Sequence, residues 1–120
     1  MNEPVVVDFD EMPWEAHPTI AGIHIKMTPH DRAYSPDDIL IARVEGGGEI
    51  PWHVHEGQSE IVYVLQGTGV LYCAESQDLN AISKYSLKPG LAAVVPPDVW
   101  HRVENTDTIE MLLFASHVAG

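Results

Sequence analysis

From Thr19 onward, apolar and polar positions come in short runs, each closed by Gly, Pro, Asn or Asp. Ile23, Ile25 and Met27 alternate with His24 and Lys26, the period of two that marks a half-buried strand. Ile39–Val44 forms a second run and ends at Gly46-Gly47-Gly48. Pro51–His55 is short and extended. Ile61–Leu65 is rich in β-branched and aromatic residues and stops at Gly67, and Val70–Cys73 follows Gly69. Ser83–Leu87, Leu91–Val95, Trp100–Val103 and Ile109–Phe114 complete the series, which reads as about nine short strands without a helix. Pro29 to Asp38 is polar and holds two prolines, so it reads as a loop. Pro4, Pro13 and Pro18 interrupt any helix begun over Glu11–Ala16, leaving an irregular arm over residues 1–18 with a short strand at Val5–Val7. The pattern predicts an all-β domain over residues 19–120, a sandwich or barrel.

Composition narrows the function classes. At 120 residues, the length suits one domain. Eighteen acids face six bases, for a net charge of −12. A field of that sign repels nucleic-acid phosphates and anionic lipid heads, so neither nucleic acid nor membrane is expected as a partner. The single cysteine, Cys73, excludes an internal disulfide framework and suits a reducing compartment. No signal peptide or spanning segment is visible, and the expected location is cytoplasmic.

The chemistry concentrates in histidines. His53 and His55 are two residues apart on an extended segment. On a strand their Cα atoms lie about 6.6 Å apart on one side, close enough for both imidazoles to meet one ion at about 2.1 Å. Glu60 follows past a turn at Gly57 and can add a carboxylate if its strand pairs back on the first. His101, after Pro96-Pro97-Asp98, can be a fourth donor brought near by barrel closure. Three imidazoles and a carboxylate suit one divalent transition metal per chain: iron, manganese, zinc, nickel, cobalt or copper. His17, His24, His30 and His117 are lone histidines and read as structural or exposed. Glu56 directly follows His55 and faces the other way.

The spacing Gly47-x5-His53-x-His55-x4-Glu60-x6-Gly67 resembles the first motif of the cupin family. Gly90-x5-Pro96-x-Asp98-x2-His101-x3-Asn105 resembles the second, with Asp98 where cupins usually carry Gly. Asp tolerates turn geometry nearly as well. The 22 residues between the motifs suit a single-domain cupin. The resemblance implies a jelly-roll β-barrel with His53, His55, Glu60 and His101 holding the metal inside. It also sets the register that places His101 in the cluster.

Strand alternation sketches the interior. It places Pro51 with His53, and Val62, Val64 and Gln66 with Glu60. It turns Val103 inward with His101, and Trp52, Val54, Trp100 and Arg102 outward. Arg43 is the remaining base for an anionic substrate, and Tyr63, Tyr72 and Cys73 read as strand packing. So few inward bases argue against a sugar-phosphate substrate. The expected function is a small-molecule enzyme of dioxygenase type using iron(II), with Glu60 also available as a catalytic proton acceptor. The alternatives are an isomerase, lyase or decarboxylase using manganese, nickel or zinc, or a non-enzymatic small-ligand-binding cupin. A homodimer is expected, because Trp52, Val54, Tyr63 and Leu65 need cover that the arm cannot fully supply.

Overall fold

The computed structural model describes residues 6–28 and 38–119. Ten strands occur among them: β1 Glu15–Ala16, β2 Ile23–Met27, β3 Asp38–Val44, β4 Glu49–His53, β5 Gln58–Gln66, β6 Gly69–Ala74, β7 Ile82–Leu87, β8 Ala92–Val95, β9 Trp100–Asn105 and β10 Met111–Ala119. The described residues include no helix, and none long and apolar enough to cross a membrane. The all-β expectation holds. The helix that prolines were expected to interrupt is replaced at Glu15–Ala16 by a short pairing with Ile25 and His24. Val6 and Val7 lie outside any strand, and Val5 falls outside the described residues. The predicted 29–38 loop also lies outside them, except for Asp38, which opens β3.

Two antiparallel sheets face each other. The larger has the order β1-β2-β3-β10-β5-β8 and the smaller β4-β9-β6-β7. Alternation sends one set of side chains from each sheet into the space between them. Val44, Met111, Leu113, Val62 and Val64 enter from the larger sheet, and Val103, Leu71 and Leu87 from the smaller. Strands far apart in sequence become neighbours: β10 lies between β3 and β5 and pairs with both along most of its length.

Two bulges shift the expected faces. Ile50 lies opposite Val103 and His53 opposite His101, so three steps along β4 match two along β9. The extra residue breaks the alternation. Ile50, rather than Pro51, packs on the core, and Pro51 is exposed. A second lies on β5, where Gln66 and Val64, two residues apart, face the adjacent Leu112 and Leu113 of β10. Gln66 is consequently exposed rather than inward, and its amide donates to the Glu110 carbonyl at 3.0 Å. Val62, Val64 and Val103 point inward as expected.

Buried polar groups tie the far end of the barrel. Asn105 is 1% exposed. Its Nδ2 lies 3.2, 3.0 and 2.9 Å from the carbonyls of Val44, Glu45 and Ile109. Its Oδ1 accepts the Asp107 N–H at 3.0 Å. One amide therefore joins the end of β9 to the end of β3 and the approach to β10. Gly67 has φ +91°, and a Cβ there would come within 2.9 Å of the Met111 Cα, so the turn leaving β5 admits only glycine.

Candidate metal centre

The strands bring His53, His55, Glu60 and His101 together. One donor atom from each lies within 4.8 Å of every other, a spread suited to bonds of about 2.1 Å to a shared ion. His53 and His101 are direct cross-strand partners on β4 and β9, with ring centroids 4.0 Å apart. His55 follows the end of β4, 5.0 Å from His53 between centroids. Glu60 arrives from the opposite sheet. The expected back-pairing of its strand on the His53 strand does not occur, since β5 pairs with β10 and β8. Residues after β4 cross from one sheet to the other, and Glu60 meets the histidines across the core.

The turn before His101 is locked to the one after His55. Asp98 has φ +66°, the left-handed conformation that glycine adopts most readily and Asp tolerates. Its N–H donates to the His55 carbonyl at 3.1 Å, and its Oδ1 accepts the Gly57 N–H at 3.3 Å. Asp98 thus keeps glycine's backbone shape and adds a side-chain bond between the two ligand-bearing loops.

Hydrogen bonding prepares the imidazoles as donors of electron pairs. His53 Nδ1 faces the Pro51 carbonyl at 2.8 Å, and His101 Nδ1 faces that of Val99 at 3.0 Å. A carbonyl can only accept, so each Nδ1 carries the proton and each neutral ring turns its Nε2 lone pair to the cluster. The Nε2 atoms of His55 and His101 are buried without a hydrogen-bond partner. They lie 2.9 and 3.3 Å from Glu60 oxygens. A lone pair set against a carboxylate oxygen is repulsive unless a cation lies between them, so the donor set fits a divalent transition ion. Burial and the facing His101 lower the pKa of His53 below its usual value. Burial pushes Glu60 up, but the imidazoles of His101, His117 and His55 facing its oxygens outweigh it and hold the carboxyl below the carboxylate range.

His117 joins the site against expectation. Its Nε2 lies 2.6 Å from Glu60 Oε2, and its ring 4.3 Å from that of His55. Spacing could not reveal it, because the contact depends on the β10–β5 register that sets His117 opposite Glu60. His17 accepts the N–H groups of Thr19 and Ile20 at its Nδ1. His24 lies on β2 outside the cluster, and His30 falls outside the described residues. Glu56 is exposed.

The cluster opens on a cavity of about 470 Å³ walled by Ile23, Ile25, Leu40, Val62, Val103 and Leu113, with His17 and Thr19 also lining it. Among the described residues, no Lys or Arg lines it. Arg43 does not serve as an anion grip: it pairs with Glu110 at 3.1 Å and stacks on Trp14. Arg102 lies over Tyr72 and binds Glu49 and Glu104. Tyr63 is exposed on the outer face of β5. A larger cavity of about 710 Å³ between β7 and β8 includes Cys73 but none of the cluster. Burial there pushes the Cys73 thiol up, so it stays protonated at neutral pH.

The family model of the cupin domain matches residues 40–117, and the chain belongs to the cupin family. Germin-like protein subfamily 3 member 1 of Arabidopsis thaliana is 39% identical over 54 residues, 45% of this chain and 25% of that protein. The chain thus spans a quarter of that curated relative. Among solved structures, a predicted oxalate decarboxylase from Thermotoga maritima superposes with TM-score 0.77 at 21% identity, over 97% of this chain and 100% of the other. KdgF from Halomonas sp. superposes with TM-score 0.70 at 22% identity, over 92% of each chain. These two likenesses show the same fold, a cupin jelly roll.

Proposed function

We propose that the chain holds one divalent transition ion through His53, His55, Glu60 and His101, and acts with iron(II) as a dioxygenase of a small, mainly apolar molecule. The observation that carries this reading is the apolar cavity onto which the cluster opens, with no Lys or Arg among its described lining residues. Bound there, iron(II) would supply the one-electron chemistry with dioxygen that side chains lack. The chain's own residues do the rest. His53 and His101 present fixed lone pairs, Glu60 offsets the ion's charge, and the aliphatic walls hold the substrate body and exclude water. A second reading, an isomerase, lyase or decarboxylase, takes its support from the Glu60–His117 contact, which can move a proton without dioxygen.

The test loads metal-free protein with iron(II), manganese(II), nickel(II) or zinc(II) and screens small apolar molecules that carry two adjacent oxygen donors. We expect about one ion per chain, oxygen uptake with iron but not zinc, and loss of both binding and uptake in His53→Ala. Turnover with zinc and no oxygen uptake would establish the second reading instead. Full metal occupancy in His53→Ala would overturn the ligand assignment.

A homodimer completes the proposal. Ile61, Tyr63, Leu65 and Val94 are 37–66% exposed on the outer face of the larger sheet, a surface a second copy would cover. Among the described arm residues, Phe9 and Trp14 lie instead against Lys26 and Arg43, on β2 and β3. A net charge of −12 makes polar faces repel between copies and leaves this apolar face for pairing. Light scattering should give twice 13.2 kDa, and Ile61→Lys with Tyr63→Lys should halve it. A parent mass near 13.2 kDa would overturn the dimer. A dimer surviving deletion of residues 1–14 would overturn only an exchange of arms.

A further inference from the structure

We propose that His117 is a positioning residue that holds Glu60 by Oε2 and thereby limits the glutamate to one donor oxygen, Oε1, in the metal cluster. The proposal rests on the metal reading above. His117 and Glu60 are cross-strand partners on β10 and β5, and both side chains are largely buried, at 13% and 11% exposure. At 2.6 Å between Nε2 and Oε2, a proton must lie between the atoms, because two lone pairs at that distance repel. A carboxylate can only accept, so His117 donates.

His55 makes the contrast. Its Nε2 lies 2.9 Å from the same oxygen yet forms no hydrogen bond, as suits a ring whose lone pair awaits an ion. His117 stands outside the group of donor atoms that converge within 4.8 Å. The two rings flanking Oε2 therefore have different tasks, His55 to bind and His117 to orient.

Denticity follows from that division. With Oε2 engaged by His117, Glu60 offers one atom through Oε1, which faces His101 Nε2 at 3.3 Å. Three imidazoles and one oxygen leave two positions of a six-coordinate ion to outside ligands, room for a substrate that binds through two oxygens. Freed from His117, the carboxylate can rotate until both oxygens face the ion, and one of those positions closes. His117, which also lines the cavity, thus favours chelating substrates through its hold on Glu60.

The test uses cobalt(II) with the 120-residue chain, reading affinity by chelator competition and coordination by the visible spectrum. His117→Leu should weaken cobalt binding about 10–100-fold and shift the spectrum. His117→Gln, whose amide nitrogen reaches nearly as far as Nε2, should restore both to within about threefold of the parent, a small remainder of that second-sphere effect. His117→Asn, with the same amide on a shorter stem, should not. The Gln and Asn pair answers the question even if His117→Leu fails to fold. Equal affinities and spectra for the Gln and Asn proteins would overturn the positioning role. A parent that binds no cobalt would overturn the metal reading and this inference with it. A parent that binds while His117→Leu matches it would overturn this inference alone.

Discussion

Replacing Asn105 should cost more stability than any other single polar change in the described barrel that spares the metal cluster. Its amide offers two N–H groups to three carbonyls, those of Val44, Glu45 and Ile109, and accepts the Asp107 N–H. The Val44 contact is fully buried and the others partly so. A buried group stripped of its partner loses about 1–3 kcal/mol, and one that water can reach about 0.5–1.5 kcal/mol. Two donated bonds and one accepted bond then give about 2–6 kcal/mol for Asn105→Ala, a large share of the roughly 5–15 kcal/mol of a typical domain. Urea unfolding followed by circular dichroism reads this as a shift in midpoint at constant slope. The isosteric Asn105→Asp sharpens the test. It keeps an acceptor for Asp107 but sets a carboxylate oxygen against three carbonyls, so it should destabilise at least as much as Ala despite its shape. A loss under about 1 kcal/mol in Asn105→Asp would refute the bonding pattern and leave shape as the residue's only contribution.

The metal-free protein should lose stability steadily on acidification. His53 is held below its ordinary 6.5, so the unfolded chain takes up its proton first and stability falls as pH drops below that value. Glu60 is held below its ordinary 4.5, and its contribution, full above that value, drains away further into acid. Both slopes have one sign, and a urea midpoint that rose between pH 7 and pH 5 would contradict them. At Asp98, Gly should be tolerated within about 1 kcal/mol, because relief of the left-handed conformation offsets the lost bond to Gly57 and the looser unfolded chain. Asp98→Ala keeps the strain and loses the bond, so it should melt lower than Asp98→Gly; equal melting temperatures would refute the backbone argument.

Three of the clustered residues were legible because their spacing is local, an HxH pair and a carboxylate one turn on, whereas His101 was placed by the likeness of its motif to the second cupin motif. Val62, Val64 and Val103 followed from alternation alone. Alternation failed where a strand gained a residue. The β4 bulge exchanged the roles of Ile50 and Pro51, and the extra residue on β5 left Gln66 outside. The predicted Ile109–Phe114 strand begins and ends later, at Met111–Ala119. Its polar Ser116 and His117 hid the continuation, and burial between two neighbours, which single-sequence periodicity does not carry, supplied it. His117 was illegible for the same reason: its partner lies 57 residues away, and only the pairing of β10 with β5 joins them. Hairpin logic likewise misplaced β5, because a short connection need not return a chain to its own sheet.

The central place of β10 sets an order in time. It is synthesised after the nine strands that precede it, yet it lies between β3 and β5 and pairs with residues 38–44 and 58–66. Until it docks, the larger sheet is split down its middle, and Glu60 lacks both its inner wall and the imidazole opposite. A nascent chain that has already exposed His53, His55 and Glu60 therefore holds only an unfinished chelate. Long-range pairings of this kind close slowly, so the ion and the last strand should arrive together, late in folding, and truncation before residue 111 should leave a chain that neither folds nor retains metal.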